Sequence, residues 1–217
     1  MEAEKLKDFI LGQGASEVGF SKPPDAPKGL DYAVTVVLKL SEYVISQINE
    51  KPTHAYFHHY RTVNAAIDNI ILRTGLQIEA VGYRYFPVAA SQSVKGLQGL
   101  YSHKTAARMA GLGFIGRNAL FISNQFGCGV RLGTIFTDMP LLIEEISEPK
   151  SCGECNACVV ACPAMAIKGV DFSPEIGRDA MLDALACSHY MKDKFQDIGR
   201  GSVCGICIKV CKYGKAD

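Results

Sequence analysis

Nine cysteines are spread so unevenly along this chain that they govern how its last third can be built: none precedes Cys128, and the other eight fall between Cys152 and Cys211. An odd, clustered set does not make a disulfide framework and points instead to metal or redox chemistry. The spacing says which.

Cys152, Cys155, Cys158 and Cys162, followed by Pro163, spell C-x2-C-x2-C-x3-C-P, the spacing with which bacterial ferredoxins ligate 4Fe-4S clusters. Three thiolates on a tight loop converge on three irons of one cubane, while the fourth points away and normally serves a second cluster. Cys204, Cys207 and Cys211 form a further C-x2-C-x3-C set, with Cys187 upstream. The expected ligand sets are therefore crossed: Cys152, Cys155, Cys158 and Cys211 for one cluster, and Cys162, Cys187, Cys204 and Cys207 for the other. A pair of zinc sites is the alternative, since C-x2-C also suits a tetrahedral ion. The first motif, however, crowds more thiolates than separate tetrahedra use. The ninth cysteine, Cys128, reads as a buried thiol. Two clusters imply electron transfer.

The remainder is ordinary globular sequence. With 217 residues the chain is sized for one domain or two small ones. Its 23 Lys and Arg against 22 Asp and Glu leave a formal charge of +1, which argues against an electrostatic nucleic-acid binder. No apolar run reaches the roughly 18 residues needed to span a bilayer, so no membrane partner is expected. The first residues include Glu2, Glu4, Lys5, Lys7 and Asp8 where a secretory leader would be basic and then apolar, and a cytoplasmic protein is the expectation.

Periodicity predicts a helix over residues 2–14 and strands at 18–20 and 32–40, around a turn rich in Pro23, Pro24, Pro27 and Gly29. Tyr56, Tyr60, Val63, Ile67, Ile70 and Ile71 recur at helical spacing up to Gly75. A strand at 77–86 is expected next, then a helix from the N-cap Ser102 to the Gly111 and Gly113 pair, then strands at 118–123 and 131–137. Alternation of strands and helices gives an α/β or α+β layer domain over residues 1–146 and a cysteine module over 147–217.

Residues 110–118 (AGLGFIGRN), 126–133 (FGCGVRLG) and Thr137-Asp138, followed by the double cysteine motif, resemble epoxyqueuosine reductases, cobalamin-dependent iron-sulfur enzymes of tRNA modification related to reductive dehalogenases. The resemblance covers roughly residues 55–217. It implies a nitroreductase-like α/β corrinoid-binding domain on a ferredoxin-like module with two 4Fe-4S clusters, fed by an electron donor such as a ferredoxin or flavodoxin. Gly111, Gly113 and Gly116 would allow close approach of a large cofactor, although a helix stop and a turn explain them too. His103, Arg117, Asn118 and Arg131 are the other candidates for holding it. The family carries an acid ahead of the glycine block, and here Arg84 stands at that place before Pro87 and Val88.

Other histidines and tyrosines are less informative. Adjacent His58 and His59 point about 100° apart on a helix and do not share a metal, and Tyr56 and Tyr60 belong to the apolar stripe. Three functions stay open: an iron-sulfur oxidoreductase passing electrons to a corrinoid or small-molecule substrate, an electron-transfer protein without corrinoid that docks a redox partner, and an epoxyqueuosine reductase. The low charge and Arg84 argue against the last.

Overall fold

The computed structural model describes residues 2–94, 96–143 and 150–214. In chain order these form α1 (Ala3–Gly12), β1 (Glu17–Ser21), β2 (Tyr32–Lys39), α2 (Glu42–Ser46), α3 (His54–Ala80), β3 (Tyr85–Val88), α4 (His103–Met109), β4 (Gly113–Ile115), β5 (Phe121–Ser123), β6 (Val130–Thr137), α5 (Ala157–Ala161), α6 (Arg178–Met181), α7 (Ala184–Lys194) and α8 (Ile206–Lys209). Among the described residues no helix is long and apolar enough to cross a membrane.

The chain packs into two compact units that alternate along the sequence. The described residues of the first are 2–39, 62–94, 96–114 and 131–143, and those of the second are 40–61, 115–130 and 150–214. The single cut expected near residue 147 falls outside the described residues.

The first unit is built on a four-stranded sheet in the order β1-β2-β6-β3. β1 pairs antiparallel with β2 (Gly19 opposite Thr35), and β3 pairs antiparallel with β6 (Val88 opposite Thr134). Side chains alternate across such ladders, so the two faces of β6 have different partners. Phe136 joins Ala33, Val88 and Ala106 of α4 in one buried cluster, with the Tyr101 ring edge-on to Phe136 at 4.7 Å. Gly133 points the other way, where a Cβ would overlap Ile67 and Ile71 of α3. A glycine here lets helix and sheet approach closely, and the apolar stripe of α3 fills the gap.

The strand expected at 77–86 is corrected: α3 continues to Ala80, and the strand is only Tyr85–Val88. Gly75, up to which the helical periodicity runs, sits inside α3, with the Tyr85 ring where its Cβ would be. Tertiary packing thus overrides the local signal.

In the second unit, residues after Ile115 turn back at once. Gly116 N–H donates to the Leu120 carbonyl at 2.9 Å, and Ala119 takes a left-handed φ of 56°. The strand expected at 118–123 is therefore shortened to β5. Ile115, Ala119 and Met181 bury one another, with Phe172, Ile176 and Leu182 at the margin. An isolated bridge between Ile167 and Leu182 ties the chain after the first cysteine motif to the segment leading into α7.

Candidate metal centre

Each cysteine sits on a loop or a short helix whose geometry follows from its neighbours. Cys155 N–H donates to the Cys152 carbonyl at 3.2 Å and closes the first turn, and Cys158 rides on α5. Cys162 caps that helix in an extended conformation (φ −72°, ψ 107°), as the following Pro163 demands. Cys187 lies on α7, whose N-terminus is capped by Asp183 through a bond from Ala186 N at 2.9 Å. Gly205 at φ 82° opens α8 between Cys204 and Cys207. A Cβ there would stand 2.7 Å from Ile48 and 2.8 Å from Tyr56 as well as being strained, so the C-G-x-C turn needs this glycine.

The sulfurs fall into two neighbourhoods. Cys158 is pushed up by burial and then by Cys152, Cys211 and Cys155. Cys152, pushed up by burial, also feels Cys211. Elsewhere, burial together with Cys204 and Cys162 raises Cys187 to about 11. Cys204 feels Cys162, and Cys207 is raised by burial and then by Cys204 and Cys187. Thiols this protonated bind metal only by releasing protons. The fit to cubanes rests on this donor chemistry: soft thiolates near one another, with Cys211 close to Cys152 and Cys158, Cys162 close to Cys187 and Cys204, and Cys207 feeling Cys158 as well as Cys204 and Cys187. Among the described residues no three His, Cys, Asp or Glu side chains converge as a single ion would need, whereas cubane thiolates stand on separate irons.

Backbone and side-chain donors surround the sulfurs. Arg117 N–H points at Cys152 Sγ (3.5 Å) and Ala166 N–H at Cys162 Sγ (3.4 Å). The Arg117 guanidinium binds the Cys155 carbonyl at 3.0 Å, Asn156 Oδ1 at 3.0 Å and Asp171 Oδ2 at 2.8 Å. Asn118 is 4% exposed and donates from Nδ2 to Cys128 Sγ at 3.4 Å. Cys211 beside it, together with burial, holds the Cys128 thiol well above the ordinary range. Asp171 and Asn156 carried no sequence signal, being single polar residues without spacing. Gly205 could have been found as the glycine between two closely spaced cysteines.

The residues nominated for a corrinoid are engaged otherwise. His103 Nδ1 meets Thr134 Oγ1 at 2.8 Å and Nε2 meets the Ala89 carbonyl at 2.9 Å. Burial lowers this imidazole to about 4. It is neutral at pH 7, so Nε2 donates to the carbonyl and Nδ1 accepts from the threonine hydroxyl. Arg131 binds Asn64 Oδ1 at 2.8 Å and the Ala90 carbonyl at 3.3 Å. Both residues thus pin the chain that leaves β3. Gly111, at φ 71°, ends α4, and Gly113 opens β4. Leu112 between them packs on Gly19. A Cβ at Gly116 would collide with Ile122. Arg117 and Asn118 serve the cysteine loops. His103, Arg117, Asn118 and Arg131 all bond within the chain and so do not stand free to hold a corrinoid.

His59 Nε2 accepts from Ser41 N at 2.8 Å, and Tyr56 and Tyr60 pack together with centroids 6.3 Å apart. Arg84 pairs with Asp138 across the β3–β6 ladder, through its backbone N–H and its Nε at 2.7 Å each.

Residues 151–214 match the 4Fe-4S double cluster binding domain, which supports two 4Fe-4S clusters in this unit. Over 201 residues the chain is 26% identical to an epoxyqueuosine reductase of Pseudomonas aeruginosa, covering 87% of this chain and 49% of that one. Against the enzyme of the same name from Vibrio cholerae it is 29% identical over 154 residues, 68% of this chain and 37% of the other. The chain therefore spans about half or less of the length of these relatives. Among solved structures, a reductive dehalogenase described in terms of B12-dependent dehalogenation superposes with a TM-score of 0.78 at 20% identity, over 99% of this chain and 32% of that chain. An epoxyqueuosine reductase with a tRNA-Tyr epoxyqueuosine-modified stem loop gives 0.63 at 19% identity, over 98% and 65%. At these identities the structural likeness shows the fold, a mixed α/β one. The chain is thus similar to epoxyqueuosine reductases and matches a double 4Fe-4S cluster binding domain over its last third. Charge summed over a chain says nothing of a local groove, so the near-neutral balance does not by itself decide against a nucleic-acid partner.

Proposed function

We propose that this chain is an iron-sulfur oxidoreductase whose two 4Fe-4S clusters, held by Cys152, Cys155, Cys158 and Cys211 and by Cys162, Cys187, Cys204 and Cys207, receive electrons from a small donor protein and pass them to an oxidised substrate. The observation that carries the reading is the exchange of one cysteine between the motifs: Cys211 neighbours Cys152 and Cys158, while Cys162 neighbours Cys187 and Cys204. The first unit would be a nitroreductase-like α/β domain, as the resemblance implies.

The relatives favour one substrate class, an epoxide-bearing modified nucleoside in tRNA. Removing an epoxide oxygen as water consumes two electrons and two protons, which matches the capacity of two one-electron clusters. The protons need another source than Asp138, because the Arg84 guanidinium holds its carboxyl below the usual range and so ionised. Anaerobic reconstitution should give about eight iron and eight sulfide per chain. The reduced protein should then be reoxidised by epoxyqueuosine-containing tRNA with formation of queuosine. Zinc without iron would overturn the redox reading, and stable reduced clusters in the presence of that tRNA would overturn the substrate.

A further inference from the structure

Charge is distributed unevenly within the second unit. Residues 150–187 hold three Lys and Arg against five Asp and Glu, whereas residues 188–214 hold five against two, and residues 51–61 carry Lys51, Arg61 and three histidines with no acid. The two base-rich stretches meet in space. Gly199, at φ 59°, lies against the Phe57 ring, which occupies the place of its missing Cβ, and Gly201, at φ 64°, backs in the same way onto the Met191 carbonyl and Lys192 Cα. Side chains at these two points would push the loop off α3 and α7, so the glycines bring Arg200, which lies between them, up to the two helices.

On α3, His54, His58 and Arg61 fall at i, i+4 and i+7 and share one face, a row about 10 Å long at 1.5 Å per residue. All three are exposed, as are Lys192 and Arg200. The Arg61 guanidinium lies over the Phe57 ring at 5.5 Å, and the His58 ring meets the same ring edge-on at 5.1 Å. Of the two acids of the later stretch, Asp193 is paired with Lys194 at 2.9 Å. Among the described residues Arg61, Lys192 and Arg200 form no ion pair.

What this face attracts follows from what it lacks. Protein interfaces centre on large apolar side chains and keep their charges at the rim. Every exposed large apolar side chain among the described residues lies outside residues 51–61 and 188–214. Cations beside rings, without an apolar centre, suit a polyanion that carries rings of its own. Phosphates accept from guanidinium, ammonium and imidazole N–H groups, and unpaired bases stack on exposed imidazoles.

We propose that the face formed by His54, His58, Arg61, Lys192 and Arg200 binds the sugar-phosphate backbone of a looped RNA. This rests on the tRNA reading above and adds to it the surface that holds such a substrate.

The test is fluorescence anisotropy of a labelled tRNA transcript with the reconstituted full chain over a salt series. The proteins are the wild type, Lys192→Gln, Arg200→Gln, a triple variant combining these two with Arg61→Gln, and a charge-keeping variant combining Arg61→Lys with Arg200→Lys. Iron content and urea midpoints measured on the same samples show that each is folded and loaded. Wild-type affinity should fall steeply with salt, as phosphate contacts require. Each single variant should lower the slope of log affinity against log salt by about one. The triple variant should lower it by about two to three and lose on the order of tenfold in affinity at fixed salt. The charge-keeping variant should retain the wild-type slope. Because Lys192 and Arg200 are exposed, the single variants decide the matter even where the triple variant fails to fold. Wild-type slopes in the glutamine variants overturn the surface and leave the tRNA reading standing. So does unchanged RNA affinity with lost docking of flavodoxin, which would make this face a protein interface. A wild type that binds no transcript overturns the tRNA reading and the surface together.

Discussion

Arg117 Nη2 donates to Asp171 Oδ2 at 2.8 Å while Nη1 of the same guanidinium reaches the Cys155 carbonyl at 3.0 Å, so one planar fork ties the first cysteine turn to the chain beyond the motif. The guanidinium geometry matters more than the charge, since a lysine offers one point donor where this position uses several directions. Arg117→Lys and Asp171→Asn should both leave the chain folded but let the turn of Cys152 and Cys155 open. Cluster retention against a chelator should fall on the order of 10-fold, the scale typical of partners that orient metal ligands. Equal retention in Arg117→Lys and wild type would show that charge alone suffices.

Gly133 makes a prediction about the core of the first unit. Gly133→Ala places a methyl group against Ile67 and Ile71, and overpacking of this kind costs about 1–3 kcal/mol. Gly12, at the end of α1 with nothing within 4 Å of an added methyl, is the control. There Gly12→Ala should be neutral or stabilise by about 0.5–1 kcal/mol. Denaturant unfolding of the two variants measures both, and similar midpoints would contradict the close approach of α3 and β6.

The contrast between these glycines shows what could be read from sequence. The stripe of Tyr56, Val63, Ile67 and Ile71 announced α3 because an amphipathic period is a local property. Gly75 and Gly133 could not be interpreted locally, since their roles depend on Tyr85 and on Ile67, residues distant in the chain. The cysteine pattern was legible for the same reason that α3 was: ligand spacing on a tight loop is local. His103 and Arg131 were legible only as polar residues near a glycine block. What they bind, the Ala89 and Ala90 carbonyls, is set by the sheet register.

His103 makes the first unit sensitive to acid. Its folded-state pKa of about 4 lies below the ordinary 6.5, so the unfolded chain takes up the proton first. The stability associated with the neutral ring is fully present above pH 6.5 and is lost as pH falls towards 4, a difference of about 3 kcal/mol. His103→Gln should remove that part of the pH dependence. Urea unfolding of both proteins between pH 7 and 4 gives the comparison, and parallel curves would show that folding does not lower the imidazole.

The alternation of the two units along the chain bears on how the protein is made. Ile48 and Tyr56 must wait for Gly205 to be synthesised before the second unit can close around α8. At the usual 5–20 residues per second the wait is on the order of 10–30 s. During that interval the early segments of the second unit leave the ribosome without their partners, whereas the sheet of the first unit is available once β6 has emerged. Iron and sulfide would therefore enter this unit only after α8 has been made. Cells short of assembly machinery should accumulate a nascent protein with a formed sheet and an open, oxidisable thiol-rich half, the form that quality-control proteases meet first.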